Sequence, residues 1–108
     1  MKGKIVLIPF PFTDLTAAKL RPALVIYEGK KDVVVAFISS KTSQLSDVDV
    51  LITRNHPEFS QTGLKTDSIL KLDKVATVLK ELVIGELGEL GSELRQEVNN
   101  KLRKIFEV

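Results

Sequence analysis

The chain has 108 residues, 16 of them Lys or Arg and 14 Asp or Glu, for a formal charge of +2. With no cysteine and one histidine, disulfide frameworks, cysteine nucleophiles, thiolate zinc sites and histidine-rich metal centres are excluded. A hydrophobic fraction of 44% beside 28% charged residues excludes disorder. The apolar runs are only a few residues long, too short for a membrane-spanning helix. One domain, residues 1–108, is expected at this length. The opening MKGKIVLIPFPF lacks a small-residue cleavage site after an apolar core, so a cytoplasmic protein without a secretory signal is expected. The charge is uneven: residues 1–80 carry 12 basic and 8 acidic groups, a balance of +4, whereas residues 81–108 carry 4 and 6, a balance of −2. A mildly basic body is compatible with phosphate binding without requiring it.

Residues 4–12, KIVLIPFPF, read as a strand that Pro9 and Pro11 push to a sheet edge or end, since proline cannot donate to a ladder. Residues 13–20 form a polar connection. RPALVIY (21–27) and DVVVAFI (32–38) are buried-type strands, and EGKK (28–31) between them makes a hairpin. After the loop SSKTSQLS, DVDVLIT (47–53) alternates acidic and apolar residues. Its Asp47 and Asp49 would share a solvated sheet face, since no calcium-loop pattern surrounds them. Residues 54–63 are loop-like, residues 68–78 hold one or two short strands, and LVIGEL (82–87) holds another. Six or so short strands predict a small β-barrel.

The period changes after Ser92. Leu94, Val98, Leu102 and Ile105 recur at helical spacing, which predicts a C-terminal α-helix packed on the barrel, with Ser92 as N-cap. Glu93 and Glu97 suit the positive end of its dipole, Arg103 and Lys104 the negative end. GELGELG (85–91) matches no phosphate-loop pattern and reads as a turn and helix entry. His56, in a polar loop beside Pro57, reads as a solvated histidine.

Three features carry chemistry. Arg21 precedes Pro22, which favours an extended backbone, so its guanidinium would be held at a strand entrance where it can fork onto a phosphate. Ser39 and Ser40 place hydroxyls where the third strand runs out. Lys71 and Asp73, two apart in a strand, would project from one face. Taken singly, each also suits a surface arginine, a turn serine or a cross-strand ion pair.

These positions also carry a resemblance that runs nearly end to end. GKIVLIPFPFTD, KLRPALVI, AFISSKTSQ, TGLKTDSILKLDKVAT and IGEL followed by a helix resemble, in order, the blocks of the MazF/PemK (Kid-like) toxin family. The resemblance implies an SH3-like β-barrel, mainly β with a C-terminal α-helix. It further implies a homodimer that acts as the toxin of a type II toxin–antitoxin pair, a metal-independent endoribonuclease with no cofactor. Arg21 falls on the family's catalytic arginine before proline and Ser39 on its catalytic Thr/Ser. Lys71 and Asp73 fall where Kid-like members place an acid–base Arg and Asp. Lys19, Ser40, Lys41 and Thr42 are the implied RNA contacts. Three departures are visible: the stretch 16–20, TAAKL, lacks the family's polar Glu-Gln-Gly segment and a histidine; lysine replaces arginine at position 71; and Ser39 stands where many members have threonine, which keeps the hydroxyl.

RNA supplies its own nucleophile, the 2′-OH, so the implied partners are single-stranded RNA and a cognate antitoxin. Asp73 would serve as base, Arg21 as charge clamp, Ser39 as hydrogen-bond donor and Lys71 as auxiliary cation. The alternatives are a non-catalytic gyrase-binding toxin of the CcdB kind and an inactive nucleic-acid-binding homologue.

Overall fold

The β-branched and aromatic runs of the sequence become strands in the computed structural model, which describes residues 1–10 and 19–108. In chain order the elements are β1 (Lys4–Phe10), β2 (Lys19–Glu28), β3 (Asp32–Ser39), β4 (Asp49–Ile52), α1 (Phe59–Thr62), β5 (Ser68–Leu79), β6 (Gly85–Glu89) and α2 (Ser92–Phe106). The strands form one antiparallel sheet in the order β4-β5-β3-β2-β1-β6. The sheet curls into a half-barrel that α2 covers on one side.

Period-2 alternation sorts the side chains between two cores. Ile5, Leu24, Ala36 and Ile38 point to the α2 side, where they join Leu70, Leu72, Leu94 and Val98. Their neighbours Val6, Ile8, Ala23, Val25, Val33 and Val35 point the other way and pack with Val78. Leu82 and Val83, in and just after a short 3-10 turn, cover this second core. Both faces of the central strands are therefore buried. That is why they read as continuous apolar runs and not as alternating ones.

The expected hairpin is present as β2 and β3, joined by residues 29–31 and closed by the Gly29 amide donating to the Asp32 carbonyl at 2.8 Å. The helix stripe is also as expected: Leu94 and Val98 are buried, and Leu102 and Ile105 pack against the same core.

Other expectations need correction. β1 is not an edge strand, because it lies between β2 and β6. Pairing with β6 spans only Lys4–Leu7, however, so Pro9 stands past it, where a missing amide hydrogen is harmless. The expected continuation through Pro11 and Phe12, and residues 13–18 of the polar connection, lie outside the described residues. β2 starts earlier than expected, at Lys19. Asp47 belongs to a turn, so it does not alternate with Asp49 in a strand, and Asp49 is buried, not solvated. The loop 54–63 contains α1. Residues 68–79 make one long strand, interrupted where Leu72, Asp73 and Lys74 find no partner on β3 between the pairs Ala36–Val75 and Phe37–Lys71. Leu70 and Leu72 still share one core, so Lys71 and Asp73 alternate with them as expected, the first half-buried and the second exposed.

GELGELG is not a turn: Gly85–Glu89 is β6. Its Gly88 admits the backbone of α1, since a Cβ there would lie 2.7 Å from the Thr62 carbonyl oxygen. The N-cap of α2 is Gly91, not Ser92.

Candidate functional site

The site originates in a parting of strands. β2 and β3 are paired from Glu28–Val33 to Ala23–Phe37 and no further. Beyond that point residues 19–22 of β2 stay with β1, while Ile38 and Ser39 stay with β5. Pro22, which has no amide hydrogen, stands at the fork. A cleft of about 670 Å³ opens between the arms. Arg21 and Pro22 form one wall, Phe37 to Lys41 the other, and residues 63–66 with Leu87 close it. Gly63 at the turn of this third wall has φ 72°, and a Cβ there would lie 2.6 Å from the Leu87 carbonyl carbon. Only glycine fits both the left-handed conformation and the contact.

Three cations line the cleft, Arg21, Lys41 and Lys65, and among the described residues no carboxylate does. Hydroxyls come from Ser39, Ser40, Thr66 and Ser68, and an apolar floor from residues such as Leu7, Ile38 and Leu87. The Arg21 side chain has no hydrogen bond or ion pair among the described residues, so its fork is open. Ser39 Oγ accepts from the Lys41 amide at 3.1 Å, which occupies a lone pair and leaves the hydroxyl proton for an outside acceptor. Phe10 and Phe37 meet at the rim with ring centroids 5.2 Å apart and planes at 60°, and Phe10 is 42% exposed.

The structure therefore brings together Arg21, Ser39, Ser40 and Lys41. It leaves Lys19, Thr42, Lys71 and Asp73 outside the lining of the cleft. Asp73 is exposed on the β5 bulge. Lys71 Nζ turns to Asp49, donating to Oδ2 at 3.2 Å and to the Gln44 carbonyl at 3.5 Å. Burial raises the Asp49 pKa, but hydrogen bonds from Ser46 and Lys71 and the lysine charge outweigh it, so the carboxyl sits below its ordinary value. Asp49 Oδ1 is buried without a hydrogen bond.

Sequence reasoning missed the wall made by Gly63, Leu64, Lys65 and Thr66. The only signal was TGLKTDS, a glycine followed by polar residues before a strand. It also missed Glu58. The Glu58 carboxylate accepts from the amides of Glu93 at 3.0 Å and Leu94 at 2.9 Å, so it caps α2 from 35 residues upstream of Glu93. Those bonds, ahead of the cost of burial, lower its pKa. His56 is not a free solvated side chain: its Nδ1 accepts from the Glu58 amide at 3.0 Å, and its Nε2 lies 3.7 Å from Glu93. Donor atoms of His56, Glu58 and Glu93 cluster within 4.8 Å. With Glu58 and Nδ1 engaged by amides, the group serves as a helix cap.

Residues 1–106 match the family model described as PemK-like, MazF-like toxin of type II toxin-antitoxin system. The chain belongs to the PemK/MazF-like toxin family. Its half-barrel is that of solved MazF structures. The Mycobacterium tuberculosis toxin MazF-mt6 aligns with a TM-score of 0.74 at 17% identity, over 97% of each chain. A mycobacterial endoribonuclease, solved in complex with its cognate antitoxin, gives 0.71 at 16% identity, over 96% of this chain and 91% of that one. MazF in a MazE–MazF complex from Deinococcus radiodurans gives 0.72 at 17% identity, over 99% and 94%. No curated protein matches in sequence. As a PemK/MazF-like toxin the chain has no described helix long and apolar enough to cross a membrane.

Proposed function

We propose that this toxin is an endoribonuclease that binds single-stranded RNA across the cleft and cleaves it without a metal ion. The observation that carries the reading is the lining itself: three cations, four hydroxyls and an exposed aromatic rim with no described carboxylate. Phosphate pairs with cations and hydroxyls, and bases stack on aromatic faces, so a polyanion with flat rings fits this lining better than a neutral metabolite does.

In this reading the ribose 2′-oxygen attacks the adjacent phosphorus, and the bond to the departing 5′-oxygen breaks. The products are a 2′,3′-cyclic phosphate and a 5′-OH end. Arg21 supplies two parallel N–H donors to the non-bridging oxygens as charge accumulates. Ser39 donates its free hydroxyl proton to the same phosphate. The proton of the 2′-OH passes to water, since Asp73, exposed on the β5 bulge, does not line the cleft that holds the phosphate. A proton returns to the 5′-oxygen from Arg21 or water.

The test is a long defined RNA, incubated with and without EDTA, followed by mapping of end chemistry. The expected result is cleavage that persists in EDTA, leaves 2′,3′-cyclic phosphate ends and falls by roughly 10²–10³ in Arg21→Ala. Intact RNA under both conditions overturns the reading. Growth arrest that is equal for wild type and Arg21→Ala would favour a non-catalytic target such as gyrase. Asp73→Asn tests the base: an unchanged rate is expected, and a large loss would return that role to Asp73. Two of these chains are expected to pair, and a cognate antitoxin to cover the cleft. The mycobacterial endoribonuclease described above was solved with its cognate antitoxin, and the Deinococcus MazF with MazE.

A further inference from the structure

We infer that Lys65 is a phosphate-binding cation of the cleft beside Arg21, and that Lys71 serves instead as the counter-ion of Asp49. The inference rests on the RNA-binding reading and deepens it. Lys65 lines the same cleft as Arg21, in the wall of residues 63–66 that also holds Thr66. Its ammonium has no hydrogen bond or ion pair among the described residues, so no internal charge competes for it. Its backbone is anchored on both sides, at Gly63 by the contact with Leu87 and at Ser68 by the start of β5.

Lys71 is differently placed. Its side chain is 26% exposed, and its one charge is spent on a carboxylate that is fully buried. Moving the ammonium to a phosphate would leave Asp49 charged and unpaired in the interior, a strongly unfavourable exchange. The same ammonium holds the Gln44 carbonyl, and the Ser46 amide donates to Asp49 Oδ2. Lys71 and Asp49 thus pin the segment that follows Ser39–Lys41, and Lys71 acts on the cleft only by shaping its rim. Arginine at 71 could fork onto a phosphate while holding Asp49; lysine, a compact point charge with two of its three donors engaged, cannot fork.

The probe is a fluorescein-labelled, randomised 12-nucleotide 2′-O-methyl RNA pool, which cannot be cleaved by its own 2′-oxygen. Anisotropy titrations at several salt concentrations give the slope of log affinity against log salt. Lys65→Met is expected to reduce that slope by about 1 and to melt with the wild type. Lys71→Met is expected to lower Tm by on the order of 5 °C or more, and Asp49→Asn/Lys71→Met to recover most of it. Should Lys71→Met fail to fold, the double variant takes its place in the titration. A slope reduced by loss of Lys71, and not by loss of Lys65, overturns the inference and leaves the RNA reading standing. So does a Lys71→Met protein as stable as wild type. A wild-type chain that does not bind the pool overturns the RNA reading, and the Lys65 assignment falls with it.

Discussion

Arg21 and Ser39 are open to a ligand because no other described residue claims their donors. Ser39→Thr keeps the hydroxyl and is expected to keep the cleavage rate, whereas Ser39→Ala should lower it roughly tenfold, one hydrogen bond to a charged group. Single-turnover kinetics decides between them. Glu58 is the opposite case, a carboxylate wholly engaged by the amides of α2. Its pKa in the folded state lies below the ordinary 4.5, so the stability it contributes is complete above that value and is lost as pH falls through the lowered one. Melting curves of wild type and Glu58→Gln should therefore differ most near neutrality and converge under acid. Arg21 and Ser39 were legible in the sequence because each is fixed by its neighbours in the chain, Pro22 and the end of an apolar run. The partner of Lys71 was not. Asp49 is 22 residues away, and only the register of β4 on β5 brings the two opposite each other.

Among the elements, the strands announced themselves through β-branched runs and α2 through its apolar stripe. α1 and β6 did not, because their logic is mutual. α1 has four residues, too few for a periodic signal, and β6 is five residues rich in glycine. Each glycine makes room for the other element: Gly88 for Gln61 and Thr62, Gly63 for Leu87. Gly88→Ala is expected to cost about 1–3 kcal/mol by forcing this contact apart. Since Gly63 and Leu87 both line the cleft, it should also weaken RNA binding. Urea unfolding and the anisotropy assay report the two effects separately. Leu94→Ala, in the core beneath α2 and away from the cleft lining, should cost about 2–5 kcal/mol and leave cleavage by the folded fraction intact.

At the scale of the whole molecule, the half-barrel ends, among the described residues, in the edge strands β4 and β6, and it exposes Leu51, Tyr27, Leu79 and Ile84. Apolar groups exposed singly are common on monomers and do not by themselves call for a partner. The pairing proposed above is therefore tested directly: light scattering at micromolar concentration should give twice the 12.0 kDa chain mass. The barrel class was legible from strand number and spacing. The cleft was not, because it depends on where two neighbouring strands cease to pair, and no local pattern marks that point except a proline. The site is in effect a set of ladder bonds that the sheet forgoes. Selection for heat tolerance alone would favour replacements at residues 20–22 and 38–40 that zip the fork shut. Such a lineage would gain robustness and lose its toxicity together.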